Sequence, residues 1–129
     1  MSLNKLPPLK NLIVEKNCSL KDTLKIIEQG GQRIAFVVSN KKLINVITDG
    51  DIRRALLKKF NLNTNISKII LKKKCKYLNV NSSFESIQKE MGSNLTHLPL
   101  VNNQNKLVDY AINLKLNKIP VSEPQFLGN

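Results

Sequence analysis

A chain of 129 residues with 41% hydrophobic residues is long enough and apolar enough to bury one core of ordinary size, which argues against a disordered tail. No stretch approaches the roughly 18 consecutive apolar residues of a membrane span, and Met1 to Pro8 lacks the apolar run of a secretory signal, so the expected location is cytoplasmic. The 21 Lys+Arg against 9 Asp+Glu give a charge of +12 that attracts anions such as nucleotides, phosphosugars, nucleic acid or acidic partners, while Cys18 and Cys75 form neither a disulfide framework nor a metal-ligand spacing and are expected as reduced thiols.

In chain order, Leu12 to Val14 reads as a short strand. Ser19 is a plausible N-cap for a helix with Leu20, Leu24 and Ile27 at helical spacing, which Gly30-Gly31 ends. Ile34 to Val38 has buried-strand character, Asn40-Lys41-Lys42 makes a turn, and Leu43 to Ile47 gives a second strand. Thr48-Asp49-Gly50 reads as a turn and Asp51 to Phe60 as a helix carrying Ile52, Ala55, Leu56 and Lys59. The pattern then returns: a strand at Lys76 to Val80, a cap at Ser82 or Ser83, a helix with Phe84, Ile87 and Met91 up to Gly92, then strands at Leu98 to Val101 and Leu107 to Ile112 around a turn at Asn102 to Lys106.

The echo has a measurable offset. Val37-Val38 falls on Leu100-Val101 after 63 positions and Leu43 on Leu107 after 64, with one extra residue in the second turn. Such self-similarity marks two copies of one supersecondary unit. Neither copy can bury its apolar faces well alone, so the two are expected to share a core.

The run Ile44-Asn45-Val46-Ile47-Thr48-Asp49-Gly50-Asp51-Ile52-Arg53-Arg54-Ala55-Leu56 resembles the end of a CBS repeat, and Thr96-His97-Leu98-Pro99-Leu100-Val101-Asn102 resembles the second strand of another. The resemblance spans about Asn11 to Leu116 and implies a CBS pair. The implied fold is α/β (α+β), with two small sheets and helices packed between them in a pseudo-twofold module. It places one repeat at 11–60, a second at 66–117, and a linker or the start of a further domain at 118–129. It also implies two clefts between the repeats, binding of adenosine-containing nucleotides (AMP, ADP or ATP), homodimer formation, and regulation of an attached enzyme.

Carried over residue by residue, Thr48 and Asp51 match the hydroxyl and carboxylate that hold a ribose, with Val46 and Gly50 lining the same edge; of Arg53 and Arg54, which open the next helix, either could reach a phosphate, and Arg54 is the candidate. Leu95, Thr96 and His97 would face them from the second repeat, along with Lys74-Cys75-Lys76. The start of the helix after Asp51 would add free backbone N–H groups that favour an anion. In the second repeat Ile112 stands opposite Thr48 and Lys115 opposite Asp51, so the twin cleft lacks both groups.

The stretch Lys118-Ile119-Pro120-Val121-Ser122-Glu123-Pro124-Gln125-Phe126-Leu127-Gly128-Asn129 resembles the opening of pyridoxal-phosphate-dependent sugar aminotransferases of the DegT/DnrJ/EryC1 family. It implies a parent enzyme of sugar-nucleotide metabolism, with pyridoxal phosphate in a domain beyond this chain. A nucleotidyltransferase is the rival, because similar CBS pairs precede that class as well. No cofactor and no catalysis are expected of this chain itself, since one histidine and scattered carboxylates assemble no acid/base or nucleophile constellation.

Plainer readings stand beside these. Thr48 to Asp51 can be a strand-ending turn with a helix-capping carboxylate, His97 a satisfied buried residue, and Lys72-Lys73-Lys74 a solvated loop run. At the level of the whole chain, the alternatives are a ligand-free dimerisation element and a basic nucleic-acid-binding domain. The latter is disfavoured by the low aromatic content of 5%, which offers few platforms for stacked bases.

Overall fold

The computed structural model describes residues 6–113. A 3-10 turn at Leu9–Leu12 leads into β1 (Ile13–Glu15), so the predicted strand begins one residue later than expected. Helix α1 (Leu20–Gly30) is capped by Ser19, whose hydroxyl accepts from the Asp22 N–H, and ends on Gly31 at φ 70°, a left-handed geometry that glycine adopts at low cost. Strands β2 (Ile34–Ser39) and β3 (Lys42–Thr48) form a hairpin around Asn40 and Lys41, both at positive φ. Next come α2 (Asp49–Leu57) and a short α3 (Ser67–Ile70) that the sequence reading does not anticipate. Then follow β4 (Leu78–Asn79), α4 (Phe84–Met91) capped by Ser83, β5 (His97–Val101) and β6 (Leu107–Ile112).

The strands make two three-stranded sheets, β1-β2-β3 and β4-β5-β6, each with a parallel first pair and an antiparallel second pair. Both hairpins shift register at the same place, between Val37 and Val38 and between Leu100 and Val101, as the offset of the repeats requires. The two hairpin turns also bond to each other reciprocally. Leu43 N–H donates to Asn105 O (3.1 Å), and Leu107 N–H donates to Lys41 O (3.0 Å). Because Leu43 and Lys41 correspond to Leu107 and Asn105, this is one interaction made twice by a pseudo-twofold axis.

Alternation along β2 sends its side chains to two different cores. Ala35 and Val37 join Leu20, Ile27, Ile52 and Ile66 beneath α1 and α2. Ile34, Phe36 and Val38 join Leu12, Leu43, Val101, Leu107 and Tyr110 in the seam between the repeats, where the Phe36 and Tyr110 rings lie 5.5 Å apart. A smaller core of Met91, Leu98 and Leu100 lies beneath α4.

The α/β architecture with two small sheets is as expected, with one difference. Among the described residues the helices cover the outer faces and the sheets themselves meet, because β2 is apolar on both sides and α1 and α2 need only one of them. The expected second-repeat end at 117, Lys115 and the aminotransferase-like stretch 118–129 lie outside the described residues. Among the described residues no helix is long and apolar enough to cross a membrane.

Candidate functional site

A cleft of about 240 Å³ opens where the two repeats meet. Its first-repeat wall is Ile34, Asn45, Val46 and Thr48; its second-repeat wall is Leu95, Thr96 and His97; the segment Lys73 to Lys76 closes it between them. The sheet register explains the convergence. Ile34 pairs with Thr48 across the first hairpin, and His97 pairs with Ile112 across the second. Ile112 therefore does occupy the place of Thr48 in the second repeat, an apolar side chain where the first has a hydroxyl.

The Thr48–Asp51 pair has a definite local job. Thr48 Oγ1 accepts from the Asp51 N–H (3.0 Å) while an Asp51 carboxylate oxygen accepts from the Thr48 N–H (2.9 Å), a reciprocal capping box that opens α2. Asp49 and Gly50, expected in a turn, are instead the first residues of the helix, because the cap sits at Thr48. Of the N–H groups at this helix start, expected to be free for an anion, that of Asp51 is taken by Thr48 and that of Asp49 by Arg33 O (3.0 Å).

Asp51 then gathers two cations. Oδ1 accepts from Arg54 (2.8 Å) and Oδ2 from the Lys73 ammonium (2.5 Å). Burial alone would raise its pKa, but the Lys73 hydrogen bond, the Thr48 N–H, the Lys73 charge and the Arg54 hydrogen bond together outweigh burial and hold the carboxyl below its ordinary value. Lys73 Nζ also donates to Val46 O (2.8 Å), and the Lys73 carbonyl accepts from Asn45 Nδ2 (2.8 Å). The expectation of a solvated Lys72-Lys73-Lys74 run therefore fails at Lys73, whose side chain is 32% exposed and bonded into the cleft wall.

His97 is 4% exposed, stacks near Tyr110 with centroids 6.1 Å apart, and satisfies both ring nitrogens. Nε2 lies 2.9 Å from Gln32 Oε1 and Nδ1 2.9 Å from Thr96 Oγ1. A neutral imidazole fits both: Nε2–H donates to Gln32 across the repeat seam and Nδ1 accepts from the Thr96 hydroxyl. Burial pushes its pKa down to about 4, so the ring carries no charge at neutral pH. Burial likewise raises the Cys75 thiol, against the opposing pull of the Lys73 charge, and keeps it protonated.

The structure thus brings Val46, Thr48, Leu95, Thr96 and His97 together with Lys74, Cys75 and Lys76 on one cleft. Asp51 and Arg54 line a neighbouring groove of about 410 Å³ with Lys58, Lys68 and Lys72, and Asp51 reaches the cleft wall through its bonds to Thr48 and Lys73. Gly50 lines neither cavity and lies beneath the Arg54 guanidinium, where an added Cβ would meet Nη1 at 3.3 Å. Sequence reasoning missed Asn45, Gln32 and Lys73. A signal for Asn45 existed, a polar residue in the middle of an otherwise apolar strand, and it is 4% exposed.

A protein-family model described as "CBS domain" matches residues 7–58. No characterised protein sequence matches the chain. Among solved structures, a CBS domain protein from Streptococcus pneumoniae is similar with a TM-score of 0.71 at 16% identity, over 88% of this chain and 77% of that one. A CBS domain protein from Pyrobaculum aerophilum complexed with AMP has a TM-score of 0.64 at 16% identity, covering 85% of this chain and 82% of that one. The cytosolic domain of the Mg2+ channel MgtE in complex with ATP also has 0.64 at 16% identity, with 81% of this chain and 42% of that one covered. The match to the CBS domain model thus covers residues 7–58, and the two-sheet α/β fold is similar to that of CBS-pair structures.

Proposed function

We propose that this chain is a regulatory module that binds an adenine nucleotide or a related anionic ligand between its two repeats, 11–60 and 66–117, and does no chemistry on it. The observation that carries this reading is the cleft itself. One concavity combines an apolar wall (Ile34, Val46, Leu95), hydroxyl and carboxylate acceptors (Thr48 and, behind it, Asp51) and three lysines, the mixture a base, a ribose and a phosphate each require. Thr96 and His97 complete the ligand-binding set on the cleft, while Arg54, bound to Asp51 in the neighbouring groove, and Gly50 beneath its guanidinium belong to the set through Asp51. Structures of the same fold that hold AMP or ATP support the ligand class.

Binding would change how the repeats pack and so act on an attached enzyme of sugar-nucleotide metabolism, the parent suggested by the resemblance of Lys118 to Asn129. We further propose a homodimer, for which Leu57, Leu71 and Phe84, 82%, 77% and 68% exposed, are candidate contact residues.

The test is thermal unfolding of the chain against AMP, ADP, ATP and nucleotide sugars, repeated for Asp51→Asn. A ligand at 100 times its Kd adds about 2.7 kcal/mol of stability, so a matching rise in Tm that shrinks in the variant is expected. No response to any nucleotide would leave the ligand-free dimerisation element. A steeply salt-dependent affinity for DNA or RNA in its place would point to nucleic-acid binding.

A further inference from the structure

We infer that Lys73 sets the selectivity of this cleft by occupying its hydroxyl-accepting groups itself, so that only a ligand bringing a negative charge displaces it efficiently; this rests on the nucleotide reading above. The ammonium donates to both Val46 O and Asp51 Oδ2, and the residue is fixed at its other end by Asn45, which grips its carbonyl. Of the two Asp51 oxygens, Oδ2 has no acceptor site to spare, whereas Oδ1 keeps one beside the Arg54 guanidinium. Oδ1 serves Arg54, and Oδ2 serves both the Thr48 N–H and Lys73. A ligand hydroxyl therefore reaches Val46 O or Asp51 Oδ2 only by taking the place of the ammonium.

The size of the cavity agrees. At about 240 Å³ the cleft is smaller than the roughly 300 Å³ at the lower end of small-molecule sites, and Lys73 is one of the residues that line it.

Displacing an ammonium from a carboxylate forfeits a charge-assisted hydrogen bond, which corresponds to about 10- to 100-fold in affinity. A phosphorylated ligand offsets that loss, because the freed ammonium, with Lys74 and Lys76 beside it on the cleft, finds a new anion. A neutral nucleoside leaves the ammonium with nothing comparable. Lys73 thus disfavours nucleosides and spares nucleotides, which a plain basic patch would achieve only by attracting phosphate.

Calorimetric titration of adenosine and of AMP into the full chain, wild type and Lys73→Met, separates these cases, with Lys73→Arg as a charge-preserving control. The expected result is that Lys73→Met tightens adenosine about tenfold while AMP holds or weakens, so that the preference for AMP collapses, and that Lys73→Arg retains it. A Lys73→Met chain that melts cooperatively but keeps the wild-type preference, or that weakens AMP without tightening adenosine, overturns the inference and leaves the nucleotide reading in place. Binding of neither ligand to any of the three proteins overturns both.

Discussion

Asp51 shows how a single carboxylate can belong to the helix and to the cleft at once. Through Thr48 it starts α2, and through Lys73 it ties the segment between the repeats to the cleft wall. Its sequence context made the first role legible, since Thr48 and Asp51 stand at capping-box spacing. Nothing local could reveal the second, because Lys73 lies 22 positions on and bonds only after the chain has folded back.

His97 likewise looks like a lone histidine in the sequence, and its meaning comes from burial against Gln32 and Tyr110. Its depressed pKa gives a pH prediction whose sign is fixed. Between the ordinary histidine value near 6.5 and the folded value of about 4, the unfolded chain binds a proton that the fold refuses, so stability falls as pH drops through that window and levels off below it. Urea unfolding should show a loss of about 2 kcal/mol from pH 7 to about pH 5 that His97→Gln largely lacks. Asp51 acts lower: its depressed carboxyl contributes stability that is present above the unfolded carboxylate value of about 3.9 and is lost as pH falls through the lower folded value. Equal losses in wild type and His97→Gln between pH 7 and about 5 would show that the ring is not held neutral as described.

At the scale of elements, the hairpins were the most legible parts. Ile34 to Val38 and Leu107 to Ile112 are apolar and β-branched enough that propensity and burial agree, and their boundaries shift by at most one residue. Elements at the repeat junction were read less well. The strand expected at Lys76 to Val80 shortens to Leu78–Asn79, and α3 follows Asn65, whose side chain accepts from the Ser67 N–H, without a run of apolar periodicity long enough to announce it.

The turn-to-turn contact depends on backbone that only folding places. Lys41, at φ 68°, lends its carbonyl to Leu107 while holding a left-handed conformation that costs a side-chain-bearing residue about 1 kcal/mol. Lys41→Gly removes that strain but frees the unfolded chain, so a net gain of roughly 0.5 kcal/mol in chemical unfolding is expected. A loss of stability would mean that the Lys41 side chain, exposed as it is, contributes something the backbone geometry does not show.

For the whole molecule, the offset of 63 to 64 positions between like segments in the sequence reappears as a physical axis. It relates Leu43 to Leu107, Val38 to Val101 and one turn bond to the other. Repetition was therefore readable from residues alone, and so was the need for a shared core. What was not readable was which faces share it, since β2 is apolar on both sides and either could have met the helices. The cleft is a product of that choice. Because the sheets meet, the ends of β3 and β5 lie together, and Val46 and Thr48 come to face Thr96 and His97 across one cleft although about 50 positions separate them.

His97 is the only histidine, so its imidazole gives one isolated pair of carbon-bound proton signals, placed on the proposed ligand site. Titrating AMP into the chain while following those signals by NMR reads the cleft directly. We expect them to move saturably with AMP and at the same midpoint as calorimetric binding. AMP binding that leaves the His97 signals where they were would place the ligand elsewhere and contradict the cleft as its site.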